Sequence, residues 1–173
     1  MRLFIAIDFN ELWDYFTELQ KQLPNNARLS LVKSFHLTLK FLGEVQPDKV
    51  DEIVRILKMI KLGPFSVHLD SIGIFPTENY IRVVWIGLKP EDKILELQKQ
   101  IDESLKKLFK KEKDFQPHIT LCRVKYPKDK KLFVEKVKNI KVENKKLEIN
   151  DFRLVKSTLS PKGPIYEDFE IFG

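Results

Sequence analysis

The sequence predicts an α+β fold, a bilobal duplicated arrangement in which two antiparallel-rich sheets flank a central cleft and helices cover the outer faces. Strand and helix patterns alternate, but without the regular strand–helix–strand repeat of a doubly wound parallel sheet. Each half of the chain shows the order strand, helix, strand, strand. A short sequence also recurs, because Phe35-His36-Leu37-Thr38-Leu39 resembles Pro117-His118-Ile119-Thr120-Leu121.

The hydrophobic pattern of the first half predicts six elements. In chain order they are a strand over 2–8, a helix over 11–23, a strand over 35–42, a helix over 47–60, and strands over 65–75 and 80–88. Asn10 is a suitable N-cap for the first helix, and Pro47 suits the first turn of the second. The segment 76–79 predicts a turn that joins the last two strands as a hairpin.

The second half begins with the longest predicted helix, over 91–111, in which Ile94, Leu97 and Ile101 mark the buried face. The remaining predicted elements are a strand over 118–124, a helix over 131–139, and strands over 147–156 and 166–172. The duplication is therefore visible in the order of elements as well as in the residues. If two such copies face each other, the recurring sequences lie on the two sides of one cleft.

Composition indicates a globular protein and excludes several kinds of site. The 173 residues are 43% hydrophobic and 32% charged, with a net charge of +6. We therefore expect residues 1–173 to form a single domain of two pseudo-symmetric lobes, monomeric and cytoplasmic. The single cysteine, Cys122, excludes an intramolecular disulfide and a cysteine-rich zinc module. No apolar run is long enough for a membrane helix, and the glycines form no phosphate-binding loop.

Two of the three histidines lie in His-x-Thr sequences, at positions 36 and 118. Because side chains alternate across a strand, we expect each motif to present one polar face. These polar faces consist of His36, Thr38 and Lys40 in the first motif, and of His118, Thr120 and Cys122 in the second. The opposite faces, which would anchor each strand to its lobe, consist of Leu37, Leu39 and Phe41, and of Ile119 and Leu121.

Two converging His-Thr faces suit the chemistry of a phosphodiester. Two imidazoles at opposite ends of a phosphate can act as general acid and general base. The hydroxyls of Thr38 and Thr120 can donate hydrogen bonds to the non-bridging oxygens. A nearby cation, for which Arg123 is the candidate, would stabilise the additional charge on a pentacoordinate phosphorus. This arrangement requires no metal and no other cofactor.

Structural explanations compete with the catalytic hypothesis. A lone histidine on a half-buried strand is commonly a structural residue, and threonine is a good strand former. The recurrence of the pair in matching contexts favours catalysis. His68 has no threonine partner and no counterpart in the other half, so we expect it to be structural or solvent-facing. The wide spacing of the three histidines disfavours a zinc site, and Cys122 is expected to pack on its strand rather than act as a nucleophile.

These motifs resemble those of the 2H phosphoesterase superfamily. The closer match is its RNA 2′,3′-cyclic phosphodiesterase branch, also called the 2′-5′ RNA ligase family of bacteria and archaea. The resemblance covers essentially the whole chain, and both His-x-Thr sequences are intact. Besides the two motifs, the residues that carry it are 2–7, 40–44, Pro117, Cys122, Arg123, 157–159, Gly163 and Tyr166.

The resemblance implies hydrolysis of an RNA 2′,3′-cyclic phosphate to a 2′-phosphomonoester, together with reversible joining of 2′-5′ linked RNA halves. It implies that His36 donates a proton to the leaving oxygen and that His118 is the base towards water, although the residues alone do not decide between these roles. Thr38 and Thr120 match the phosphate-binding positions, and Arg123 matches a basic position after the second motif.

An RNA with a cyclic phosphate end, such as a tRNA half, is the implied partner. Two alternatives stay open. One is a non-catalytic module that binds RNA ends. The other is a phosphodiesterase that acts on a small cyclic nucleotide or on a 2′-5′ oligoadenylate.

Overall fold

The computed structural model of the protein describes all residues from 1 to 173. The strands are β1 Arg2–Asp8, β2 Arg28–Leu31, β3 His36–Glu44, β4 Phe65–Thr77, β5 Tyr80–Lys89, β6 Ile119–Lys125, β7 Lys146–Ile149, β8 Phe152–Ser160 and β9 Gly163–Phe172. The α-helices are α1 Trp13–Lys21, α2 Pro47–Lys58, α3 Asp92–Ser104 and α4 Lys130–Lys138. A single 3₁₀ turn, Asn10–Leu12, precedes α1.

The strands form two sheets in which every pair of neighbours is antiparallel. The first sheet has the order β3-β1-β8-β9, and the second has the order β2-β6-β5-β4-β7. The predicted α+β fold with two antiparallel sheets is therefore confirmed. None of the helices is long and apolar enough to cross a membrane.

The two sheets do not correspond simply to the two halves of the sequence. Strand β4, from the first half, pairs with β5 in the second sheet. Strand β8, from the second half, pairs with β1 in the first sheet. Each sheet therefore contains strands from both halves: β1 and β3 with β8 and β9 in the first, and β2, β4 and β5 with β6 and β7 in the second. This exchange brings the beginning and the end of the chain together in one sheet.

A continuous core of 37 buried residues contains side chains from both sheets and from all four α-helices. A second, small apolar cluster consists of Phe4, Ala6 and Val155. Phe4 and Ala6 alternate along β1 with the core residues Leu3 and Ile5, so the small cluster lies on the opposite face of the first sheet. The face that carries this cluster is also the face of the first His-x-Thr motif.

Most elements lie where the hydrophobic pattern predicts them. Strand β1 has the predicted bounds, and β3, α2 and the β4–β5 hairpin differ from prediction by a few residues. The predicted N-cap role of Asn10 is wrong, because its side chain caps no helix. It donates to Asp8 and Ser34 and accepts a bond from the backbone amide of Phe35. Asn10 therefore ties the end of β1 to the start of β3.

Two predicted elements have wrong boundaries and one strand was not predicted, each for a tertiary reason. The helix predicted over 91–111 ends at Ser104, and the chain turns back so that the amide of Glu112 binds the Asp102 carboxylate. The strand predicted over 147–156 is two strands, β7 and β8, which belong to different sheets. Strand β2 was not expected, because it is short, mostly exposed and held only by its pairing with β6.

Candidate active site

The two His-x-Thr sequences lie on strands of different sheets that approach each other. His36 is the first residue of β3 and lies opposite Asp8 of β1. His118 immediately precedes β6 in the second sheet. Strands β3 and β6 are in contact although they share no ladder. The structure therefore brings the two motifs together where the sheets meet.

Electrostatic coupling indicates that the two imidazoles are close. Burial, and secondarily the positive charge of His118, lower the pKa of His36 from 6.5 to about 4. The positive charge of His118 thus disfavours protonation of His36, so the two imidazoles are near enough to interact. Two such imidazoles, one protonated and one neutral, can supply one general acid and one general base to the same phosphate.

A backbone carbonyl orients the second imidazole. His118 Nδ1 lies 2.8 Å from the carbonyl oxygen of Gln116. A carbonyl oxygen only accepts, so Nδ1 carries the proton and Nε2 is left free to accept one. Burial lowers the pKa of His118, the bond to Gln116 opposes that shift, and the charge of Arg123 adds to it.

Aromatic rings pack around each imidazole. The ring centroids of Phe4 and Tyr166 lie 5.0 and 5.3 Å from that of His36. On the other side, the ring centroids of Phe75 and Trp85 lie 5.0 and 6.4 Å from that of His118. These apolar surroundings account for the desolvation that lowers both histidine pKa values.

The prediction that Lys40 shares the polar face of His36 and Thr38 is wrong. In the ladder, Ala6 is opposite Thr38 and Ile5 is opposite Lys40, so Leu39 is an extra residue in a β-bulge. The bulge turns Lys40 towards the core, where its side chain is 1% exposed. It turns Phe41 to the His36 face, 67% exposed and with its ring centroid 6.0 Å from that of Phe4.

The second motif contains the same irregularity. Trp85 is opposite Thr120 and Val84 is opposite Cys122, so Leu121 is the extra residue. Cys122 is therefore buried in the core, contrary to the predicted polar face. Arg123 is exposed on the face of His118 and Thr120. The pseudo-symmetry thus places Phe41 in one motif and Arg123 in the other at equivalent positions.

Arg123 lies close to both sides of the cleft. Its charge lowers the pKa of His118 in the second sheet. Burial raises the pKa of Tyr166 in the first sheet, and the charges of Arg123 and Arg2 partly oppose that shift. Thr38 and Thr120 are half-buried on the histidine faces. His36, His118 and Arg123 are thus near enough to interact, and Thr38 and Thr120 lie on the histidine-bearing faces of their strands.

The remaining candidates from the sequence lie outside this region. Burial raises the pKa of Cys122 to about 12, so its thiol is protonated and is no nucleophile at neutral pH. His68 lies on β4 with Nδ1 3.1 Å from the carbonyl oxygen of Leu69. No group of three His, Cys, Asp or Glu side chains is arranged to hold a metal ion.

Sequence reasoning did not find several residues that shape the site. Gln116 acts through its backbone carbonyl, which no residue pattern reveals. The stacking of Phe75 and Trp85 against His118 depends on the pairing of β4, β5 and β6. The sequence indicates the position of Phe41 in the site only by its spacing, because Phe41 follows His36 by five residues as Arg123 follows His118.

Two pseudo-symmetric strands that each present a histidine and a threonine define a two-histidine phosphoesterase. A protein-family model described as LigT-like phosphoesterase matches this chain twice in succession, over residues 9–85 and 86–166. The chain therefore belongs to the LigT-like phosphoesterase family. The two matches meet within β5, in agreement with the internal duplication.

Similar proteins cover nearly the whole chain. The RNA 2′,3′-cyclic phosphodiesterase of Methanocaldococcus jannaschii is 40% identical over 96% of this chain and 97% of its own length. The protein of the same name from Archaeoglobus fulgidus is 37% identical over 99% of each chain. The crystal structure of TT0787 of Thermus thermophilus has a TM-score of 0.81 at 28% identity, covering 99% of this chain and 97% of that one. E. coli LigT complexed with 3′-AMP shares the fold, with a TM-score of 0.75 at 24% identity over 99% and 96% of the chains.

Proposed function

We propose that this protein hydrolyses RNA 2′,3′-cyclic phosphates to 2′-phosphomonoesters by metal-independent general acid–base catalysis. The observation that carries the proposal is the coupled pair of His36 and His118, each on a strand that also presents a threonine. Relatives that match almost the entire chain bear the name of this activity. The arrangement supplies two proton carriers, which is the number the reaction needs.

In the proposed reaction, water attacks the phosphorus and the bond from phosphorus to O3′ breaks. His118 Nε2 takes the proton from water, and His36 gives a proton to O3′ as it leaves. The products are a 2′-phosphomonoester and a 3′ hydroxyl. The hydrogen bond from His118 Nδ1 to the Gln116 carbonyl supports the role as base, because it stabilises the imidazolium that forms.

Thr38, Thr120 and Arg123 are proposed to bind the phosphate. The two hydroxyls would donate to the non-bridging oxygens from opposite sides. Arg123 would offset the charge that accumulates on the pentacoordinate phosphorus. Its exposure on the His118 face, which results from the bulge at Leu121, supports this assignment over a structural role.

The same groups suit the attack of an RNA hydroxyl in place of water. If a 5′ hydroxyl takes the place of water, the attack forms a 2′-5′ linkage and releases O3′ with its proton. We include this ligation, with RNA halves such as those of tRNA as partners, within the proposal. It requires no further residue, because His118 would take the proton from the 5′ hydroxyl and His36 would give one to O3′, as in hydrolysis.

The decisive experiment measures turnover of a nucleoside 2′,3′-cyclic phosphate in EDTA. The native protein should form the 2′-phosphomonoester, and His36→Gln and His118→Gln should each lower kcat by roughly 10²–10⁴-fold. His68→Gln is the matched control, since it changes the same residue type outside the cleft and should leave kcat unchanged.

Undiminished turnover in either active-site variant, or a requirement for added metal, would contradict the mechanism. A protein that binds the RNA end without forming product would instead be a non-catalytic binding module. Competition between a cyclic-phosphate RNA, a small cyclic nucleotide and a 2′-5′ oligoadenylate would rank the substrates.

A further inference from the structure

A cavity of about 310 Å³ opens beside His36 on the cleft face of the first sheet. Its floor is the small apolar cluster that contains Ala6 and Val155. Tyr166 forms part of the wall beside His36, and Asp8 and Asp168 lie at the edge of the cavity. The phosphate-binding groups proposed above do not account for this space.

The cavity is lined by polar atoms that the protein leaves available. Asp8 Oδ1 accepts from Asn10, but Oδ2 lies 3.9 Å from Arg153, too far for a hydrogen bond. Asp168 uses only Oδ2, which accepts from Arg153 Nη1 at 2.7 Å. One oxygen of each carboxylate therefore remains free to accept a hydrogen bond from a ligand in the cavity.

Charge varies along the face of β1 that lines the cleft. Arg2, Phe4, Ala6 and Asp8 alternate onto this face, so it is cationic at one end and anionic at the other. At the anionic end a single guanidinium, that of Arg153, lies among three carboxylates: Asp8 at 3.9 Å, Asp151 at 3.2 Å and Asp168 at 2.7 Å. Phosphate is favoured at the end near Arg2 and Arg123 and disfavoured in the cavity.

We infer that the cavity holds the base of the nucleotide whose phosphate lies between the histidines, and that Asp8 and Asp168 select bases with an exocyclic amino group. This inference rests on the proposed function and adds base selectivity to it. An uncharged planar base fits the apolar floor and the Tyr166 wall, whereas a second phosphate would meet an excess of negative charge.

The free carboxylate oxygens distinguish the four bases. Guanine, adenine and cytosine each present an amino group, which donates hydrogen bonds. Uracil presents two carbonyl oxygens on either side of one N–H, and a carbonyl facing a carboxylate is left unpaired. The amino group of the other three bases can donate two hydrogen bonds, whereas the single N–H of uracil can donate only one, so the two free carboxylate oxygens favour the amino-bearing bases.

The test compares kcat/KM for the 2′,3′-cyclic phosphates of guanosine, adenosine, cytidine and uridine. The native protein should prefer the three amino-bearing nucleotides to uridine by about tenfold or more. Asp168→Asn should reduce this preference to about threefold or less, because an amide offers a donor to the uracil carbonyl. Glu167→Gln is the matched control: it makes the same charge change on β9, does not line the cavity, and should leave the preference intact.

Inhibition constants of the four nucleoside 3′-monophosphates provide a second measurement that does not depend on turnover, and Asp8→Asn provides a second variant. Equal kcat/KM for uridine and the amino-bearing nucleotides, or equal preference in Asp168→Asn and Glu167→Gln, would overturn the inference. Turnover of all four nucleotides without selectivity would leave the proposed function in place. Absence of turnover with retained base-selective inhibition would overturn the proposed function alone.

Discussion

The ammonium of Lys40 and the carboxylate of Asp102 form a buried ion pair, with Nζ 2.6 Å from Oδ1 and side-chain exposures of 1% and 7%. Lys40 also donates to the carbonyl oxygen of Lys110 at 2.6 Å, and Asp102 accepts from the amide of Glu112 at 2.9 Å. The strand of His36 is thereby tied to the segment that follows α3. That segment continues to Gln116, whose carbonyl oxygen orients His118.

Lys40→Met should destabilise the protein by about 3–5 kcal/mol, because it leaves the Asp102 carboxylate buried without its counterion. Denaturant unfolding, monitored by tryptophan fluorescence, measures the free energy of unfolding. The double variant Lys40→Met/Asp102→Leu should recover much of the loss, since it removes both buried charges. Lys21→Met is the control, because its partner Glu18 is exposed and should contribute little. Equal losses in the free energy of unfolding for Lys40→Met and Lys21→Met would contradict this account.

The pH dependence of catalysis follows from the two lowered histidine pKa values. Both imidazoles are neutral in the free protein above pH 6.5, because burial lowers the pKa of His36 to about 4 and also lowers that of His118. The form with one protonated and one neutral imidazole therefore accumulates only below pH 6.5. We therefore expect kcat/KM to be greatest on the acidic side of pH 6.5 and to fall as the pH rises.

In the enzyme–substrate complex, the phosphate anion between the imidazoles raises both pKa values. The optimum of kcat should accordingly lie at higher pH than that of kcat/KM. Initial rates on a cyclic nucleotide from pH 4 to 9 provide both profiles. Coincident profiles, or a kcat/KM optimum above pH 7, would show that the apolar surroundings do not set the pKa values of the two histidines.

A substrate with a weakly basic leaving group separates the roles of the two histidines. A 3′-deoxynucleoside 2′-(4-nitrophenyl phosphate) releases nitrophenolate, which needs no proton from a general acid. On this substrate His36→Gln should retain most of the native rate, whereas His118→Gln should stay impaired by roughly 10²–10⁴-fold. Absorbance of nitrophenolate measures both rates. The opposite pattern would assign the acid role to His118.

Gly73→Ala tests whether the aromatic wall controls His118. A Cβ at Gly73 would lie 2.6 Å from Cε2 of the Trp85 ring, so the indole must move. Water would then reach His118, and we expect its pKa to rise towards 6.5. NMR titration of the imidazole measures this shift. Gly63→Ala is the control, because a Cβ there meets no heavy atom within 4 Å. An unchanged His118 pKa after Gly73→Ala would show that the packing of the Trp85 ring does not lower this pKa.

Much of the fold could be predicted because hydrophobic spacing reports burial directly. Strand β1 and helix α2, with Pro47 in its first turn, lie where their patterns place them. The end of α3 could not be predicted in the same way. Residues 105–111 have helical spacing, but Lys40 and Asp102 bind the turned-back chain at Lys110 and Glu112. Contacts across the fold thus override a local preference.

The recurring His-x-Thr sequences were sufficient to indicate which histidines belong together, because strand alternation holds for the three residues from His36 to Thr38 and from His118 to Thr120. Beyond those residues alternation fails, since Leu39 and Leu121 are extra residues in bulges. No local pattern marks a bulge, because it depends on register with a neighbouring strand.

The sequence by itself therefore determined the fold class and the duplication, and it indicated His36 and His118 as the candidate catalytic pair. Only the tertiary structure decided that Lys40 and Cys122 turn inwards and that Phe41 and Arg123 turn towards the cleft. It also decided the surroundings that lower the histidine pKa values and the anionic cavity beside His36. The physical reason is that hydrophobic periodicity is a property of one strand. Register, desolvation and charge proximity are properties of strands that meet from distant parts of the chain.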